Sequence, residues 1–277
     1  MRSHARLIGA VLSACLLTGC STDHAPAKYQ LPENVQYNYR WTAATGVDLT
    51  SDAAIVTRAV IESALIASIT QTTTKRDIGK YTYPGYTRAV DPAIGDQDNF
   101  LYNAWSVSNL DAWGPVHGTA YAEIVSLQKS SDARAPRSVD ALACVWFNGL
   151  SISLSSPSIK YRSLFEPALA PQAVKMKLLA PQDETPKLTA LGQGPARYPT
   201  TDVFGDWSAE SIEVNSSWWA ARASKPYQDP CAALPVNPVP PEQLATTTVT
   251  FYPAHLPTLD PYPGWPADAE HPTGTGK

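Results

Sequence analysis

Asp52-Ala-Ala-Ile-Val-Thr-Arg-Ala-Val-Ile-Glu-Ser-Ala-Leu-Ile-Ala-Ser-Ile69 decides the fold class. Ile55, Val56, Ala59, Val60, Ala64 and Ala67 recur at helical spacing, and Ile61, Leu65 and Ile69 widen the apolar face. A face this broad belongs to a helix packed on a sheet. Asp48, Thr50 or Ser51 can cap its start. Arg58 and Glu62 stand four apart and are expected to pair on the outside of the helix. It stops in Thr70-Gln71-Thr72-Thr73-Thr74, where β-branched residues lower helix propensity.

Downstream, Tyr81-Thr-Tyr-Pro-Gly-Tyr86 is a turn set in aromatics. Asp96 to Val107 reads as a second short helix carrying Phe100, Leu101 and Trp105, broken by Gly114-Pro115. From His117 the pattern changes to period two. Thr119, Tyr121, Glu123 and Val125 alternate with Ala120, Ala122, Ile124 and Ser126. Val139 to Trp146 is a second strand. It ends at Asn148-Gly149, a hairpin dipeptide, and Leu150, Ile152 and Leu154 form the return strand. Val174 to Leu179, Ser211 to Trp219 and Thr246 to Tyr252 are further strands. Ile124, Leu142, Cys144 and Trp146 share even positions, so each strand commits one side to the core. Pro226 to Pro241 is a proline-dense connection, and residues 253–277 read as a mobile or surface-draped tail. The expected fold is α+β: one long helix, or two, packed on a curved, mainly antiparallel sheet of five to six strands. The organisation expected is a signal over 1–19, a tether over 20–47, one domain over 48–252, and the tail.

The N-terminus carries its own signal. Arg2 and Arg6 precede an apolar run from Leu7 to Leu17, then Leu17-Thr-Gly-Cys20. The run is too short to span a bilayer, which takes about 20 residues. Positive flank, short apolar segment and small residues are the layout of a secretory signal. Leu-Thr-Gly-Cys resembles the lipobox of bacterial lipoproteins. The resemblance implies that Cys20 becomes the first mature residue, bears a diacylglyceryl thioether and acyl chains such as palmitate, and anchors the protein to the outer face of the cell membrane. The other reading is an ordinary cleaved signal with Cys20 left as a free thiol. Low lysine with high alanine and proline content is actinobacterial in style. The helix with Glu62-Ser63, the Tyr-Pro-Gly turn and the long strands resemble the NTF2-like cone fold of some actinobacterial secreted proteins, over roughly residues 50–155.

Composition narrows the partners. The formal net charge is −4. Residues 1–19 hold two arginines and no acid, so without them the charge is about −6. No basic block remains, which argues against nucleic acid. Cys15 leaves with the signal and Cys20 is spent on lipid. Cys144 and Cys231 are left to form one disulfide in an oxidising compartment, or to remain as two buried thiols.

Chemistry is sparse. His117 and His255 are the histidines expected inside the fold; neither sits in a nucleophile-elbow or triad motif. Asp206, Glu210 and Glu213 surround Trp207, as paired acids would in a glycoside hydrolase, but on a regular strand Glu210 and Glu213 face opposite ways. Gly192-Gln193-Gly194 is a turn, not a phosphate loop. No metal-spaced set and no cofactor motif occurs. The aromatics remain. Tyr83, Tyr86, Trp105 and Trp146, with Trp218 or Trp219 at the rim, are the residues expected to line an apolar pocket between helix and sheet. The expected function is a non-enzymatic binding or interaction module for an envelope lipid, glycan or protein partner. Two alternatives stand beside it: an envelope hydrolase using acids near Trp207 or His117 with a serine, and a mobile-element lipoprotein that blocks phage entry.

Overall fold

In a computed structural model, the chain is described over residues 28–70, 75–94, 113–129, 137–154, 161–164, 171–181, 188–215, 231, 234, 251–252 and 254–267. The architecture is α+β, with an open, mainly antiparallel sheet of eight strand segments against one long helix. The sheet adds two segments to the six expected strands, a short one at Tyr161–Ser163 and one that lies in the expected tether. Val35, Tyr37, Tyr39 and Trp41 alternate with Gln36, Asn38, Arg40 and Thr42. They form β1 (Val35–Ala43) with the aromatic side buried.

The spine is β2 (Trp113–Lys129). One edge of β2 carries β1 in parallel, Val35 opposite Val116 through Ala43 opposite Ile124. The other edge carries β3 (Ser138–Trp146) and then β4 (Leu150–Leu154). Both run antiparallel to β2: Tyr121 lies opposite Trp146, and Gly118 opposite Leu150. So β3 and β4 are successive lengths of one bent strand, and the hairpin expected at Asn148-Gly149 does not form. The ladder carries through the bend. Gly149 C=O accepts from Thr119 N–H at 2.9 Å, and Phe147 C=O accepts from Leu150 N–H at 2.9 Å. Gly118 sits opposite at φ 117°, a conformation glycine adopts without strain.

The bend divides the sheet. Beyond β4 lie β5 (Tyr161–Ser163) and β8 (Phe251–Tyr252); beyond β3 lie β6 (Gln172–Leu179) and β7 (Ser208–Asn215). On β6, Val174, Met176 and Leu178 are buried and the two lysines face out, as the alternation requires. The register shifts at three places: in β2 between Trp113 and Val116 against β4, in β2 between Ile124 and Ser126 against β3, and in the β6–β7 pairing beside Leu178.

Helix α1 (Asp52–Ile69) crosses the inner face of the sheet. Every residue from Ala54 to Ile69 is buried, Arg58 and Glu62 included. A helix apolar nearly all round has no outer face, so the pair expected outside is inside. Ser51 stands at the N-cap but makes no side-chain bond into the helix; its hydroxyl donates to Asp48 C=O instead. Two short helices follow, α2 (Lys75–Tyr81) and α3 (Tyr86–Ile94), joined through the Pro84-Gly85 turn, with Gly85 at φ 87°. The helix expected at 96–107 lies outside the described residues.

The segment 254–267, expected to be mobile or draped, is a strap tied to the fold. Asn38 and Arg40 donate to the carbonyls of Leu259 and Asp260. Tyr262 bridges to β1 at Arg40, and Trp265 exchanges two backbone hydrogen bonds with Ala196. Trp265 is 1% exposed. Prolines remove any periodicity from this stretch, yet these hydrogen bonds fix its course.

Candidate functional site

Two polar centres and one surface groove are the candidates for chemistry. The first centre is buried on α1. Trp41 Nε1–H donates to Glu62 Oε1 at 2.8 Å. Tyr83 O–H and Trp265 Nε1–H donate to Oε2 at 2.7 Å and 2.9 Å. One turn back, Arg58 donates to the carbonyls of Gly192 at 2.7 Å, Pro263 at 2.6 Å and Gly264 at 3.2 Å. Burial pushes the Glu62 carboxyl up, while Arg58 and the three donors pull it back. Three N–H and O–H donors aimed at one carboxyl, with a buried guanidinium nearby, occupy both of its oxygens and offset part of the cost of burying it. This centre joins β1, α1, the 192–197 turn and the strap. Its partners are all internal, so its role is to fix the fold.

Around it runs an aromatic network. Tyr37, Tyr39 and Trp41 step along β1 with ring centres 5.9 Å apart. Tyr83 meets both Trp265 and Tyr29 edge-on, at 5.8 Å and 6.0 Å. Tyr86 packs on Phe204. Tyr83 and Tyr86 are thus packed into this core rather than lining open space. Trp146 is not near them. Its strand turns Ala143 and Val145 toward α1 and turns Leu142, Cys144 and Trp146 to the opposite face. Of the residues expected to line one pocket, Tyr83 and Tyr86 therefore lie on one side of the sheet and Trp146 on the other. Shared parity does not mean a shared face here: Ile124 faces α1, but the even residues of β3 face away. Trp105, Trp218 and Trp219 lie outside the described residues, as does Cys20.

On that outer face Cys144 and Cys231 are bonded, with Cα atoms 5.8 Å apart. The bond brings Cys231 of the proline-dense connection onto the sheet, where it packs with Tyr121, Trp146 and Ala173. Next to this cluster is an open groove of about 350 Å³. Charged and polar side chains, Asp140, Lys175, Lys177, Glu213 and their neighbours, share its lining with Ala141, Leu142 and Met176. Cross-strand register sets opposite charges side by side, Asp140 with Lys177 and Lys175 with Glu213. Lys177 also pairs with Glu210 at 2.8 Å. The bulge in β7 corrects the expectation that Glu210 and Glu213 face opposite ways. Ala209 and Ile212 turn inward, and both acids are exposed on the groove side. Trp207, only 8% exposed, packs in the core away from them.

The second polar centre holds the histidines. His117 on β2 and His255 at the head of the strap stack with ring centres 4.9 Å apart, and Tyr161 meets both edge-on. Among the described residues neither histidine hydrogen-bonds a serine or a carboxylate. Ser151, directly across from His117, uses its Oγ to accept from Leu256 N–H at 3.0 Å. The described residues hold no group of three or more His, Cys, Asp or Glu placed to bind a metal, and no helix long and apolar enough to cross a membrane. The Glu62 centre escapes a reading of the sequence because one of its members lies in the expected tether and another in the expected tail.

Set against known proteins, no family model matches this chain, no curated protein matches it, and no solved structure matches it.

Proposed function

We propose that this protein is an extracytoplasmic lipoprotein, anchored to the outer face of the cell membrane through Cys20, and that it works as a non-enzymatic binding module. The observation that carries the reading is the outer face of the sheet. There a disulfide, the covalent mark of an oxidising compartment, ties Cys231 down on a face that also carries an open groove with charged walls. The groove favours one class of partner among those considered. Its walls set opposite charges side by side, Asp140 with Lys177 and Lys175 with Glu213, which suits a polar envelope partner, a protein surface or a glycan, better than a lipid. The ionisable groups in the core support the non-enzymatic reading, since both Glu62 oxygens and both terminal nitrogens of Arg58 are taken by internal partners.

Two measurements on protein purified from its own envelope test this. Mass spectrometry should find an acylated Cys20 at the N-terminus, and Cys20→Ala should abolish it. A different mature N-terminus removes the anchoring argument. Crosslinking from Lys175 or Lys177 should capture an envelope component, and Lys175→Glu with Lys177→Glu should lose it. Capture that is indifferent to the double charge reversal would place the binding surface elsewhere.

A further inference from the structure

We propose that His117 and His255 form an acid-sensitive clasp that holds the head of the C-terminal strap on the sheet. The two imidazoles lie 4.9 Å apart and within 23° of parallel, and Tyr161 stands edge-on to each at 5.8 Å. His255 is exposed and His117 is half-buried, so protons reach both. As neutral rings they stack. As imidazolium ions at this separation they repel each other. Among the described residues, the register places no acid directly across from either ring to offset that repulsion. From β4 the facing groups are Ser151 and Ser153. From β5 and β8 they are Tyr161 and Tyr252, with Arg162 on the alternate side of β5. From β1 there is Gln36, and from the strap Thr258 and the Leu256 carbonyl, 3.0 Å from His255 Nδ1. The nearest charged side chain along β1, Arg40, is paired with Tyr121, four register positions away, and donates to the Asp260 carbonyl.

The sign follows from the two states. Burial and the neighbouring His255 hold His117 below the usual histidine range. An unfolded or released histidine therefore takes up a proton at higher pH than the clasped one. The clasp contributes fully above the ordinary value near 6.5, and its contribution is lost as pH falls through that value toward the lower, clasped one.

Release would be local. The strap's first bonds flank the pair directly. Leu256 N–H donates to Ser151 Oγ at 3.0 Å, and Leu259 N–H donates to Thr119 Oγ at 3.0 Å. Thr119 O–H donates to Pro257 C=O at 2.9 Å. Gly118 and Thr119 follow His117 on β2, so a displaced imidazole disturbs all three bonds. The far end, Trp265 in the core, has no histidine beside it and stays fixed. The strap opens from the His255 end, with Tyr262 on β1 as the hinge.

Amide hydrogen exchange on the full chain at pH 7.5, 6.5 and 5.0, normalised to intrinsic rates, tests the clasp. Protection of Leu256 and Leu259 should fall about tenfold from pH 7.5 to 5.0, while α1 amides such as Leu65 keep theirs. His117→Gln and His255→Gln should each flatten that response. Protection that does not change with pH, or an acid response that persists in both variants, overturns the clasp. So does acid loss of protection in α1 to the same extent, since that is global unfolding. If His117→Gln fails to fold, the titration of His117 in the wild-type chain and in His255→Gln decides. A His117 titration that lies below the ordinary range and returns to it in His255→Gln supports the clasp, and one that is unmoved by that substitution refutes it.

Discussion

The guanidinium carbon of Arg58 lies 4.5 Å from the centre of the Trp265 ring, and the same indole donates to Glu62 one helical turn away. A single side chain thus serves both buried groups: its face stacks on the Arg58 guanidinium and its N–H donates to the Glu62 carboxyl.

Trp265→Ala removes both contacts and leaves a void beside α1. Denaturation should find it less stable by about 3–5 kcal/mol. Trp265→Phe keeps most of the packing and loses only the N–H bond to Glu62, so it should cost about 1–3 kcal/mol. Equal losses for the two substitutions would show that the bond to Glu62 carries little.

Glu62→Gln preserves shape but offers a single acceptor oxygen where three donors converge, and its NH₂ then confronts at least one of them. The expected loss is about 1–3 kcal/mol. Arg58→Met made on top of Glu62→Gln should cost less than Arg58→Met in the wild type, because the charge it would strand is already gone. A double-mutant cycle that is additive within error would argue that the two charges do not sense each other.

Reducing the Cys144–Cys231 bond should lower stability by about 2–4 kcal/mol, the range that loop closure in the unfolded chain gives. The bond reaches onto the outer face alone, so protection in α1 should fall only through the global equilibrium, while amides around Cys144 and Trp146 open first. Hydrogen exchange with and without reductant reads both quantities.

Gly118→Ala should be among the most damaging single substitutions, at about 3 kcal/mol or more. Its φ of 117° disfavours any side chain, and a Cβ there would collide with the Gly149 carbonyl oxygen across the bend. Gly46→Ala, also at positive φ but with nothing within 4 Å of the added carbon, should cost only the backbone strain. Similar melting temperatures for the two variants would mean the bend can relax.

Much of the fold is legible because periodicity survives wherever a segment has one buried side. Helix α1 and strands β3 and β6 lie close to where their apolar spacing places them. β1 is legible too, in Val35, Tyr37, Tyr39 and Trp41, but the polar lead-in before it draws the segment into the tether. Direction is what the residues do not show. Asn-Gly between apolar runs encodes a tight change of backbone course, and in this chain the change is a bend within one strand. The choice rests on Gly118, far back in the pairing partner β2. The candidate site suffers the same loss. Which side of β3 faces the helix depends on register, and a shift of one residue exchanges the faces. Arg58 and Glu62 look like a surface pair because nothing local announces that a distant tryptophan will cover them.

The strap has a consequence for the life of the nascent chain. Glu62 is made early, but its Trp265 donor stands 203 positions later. Until that tryptophan has left the ribosome, the helix carries a carboxylate short of a partner and a guanidinium with no indole to stack on. A chain interrupted anywhere before residue 265 is therefore incomplete at its centre, and not merely at its end. Order along the chain is thus the reverse of order in the core: the helix that the sheet packs on is made early, and the indole that completes its two buried polar groups comes 203 positions after Glu62.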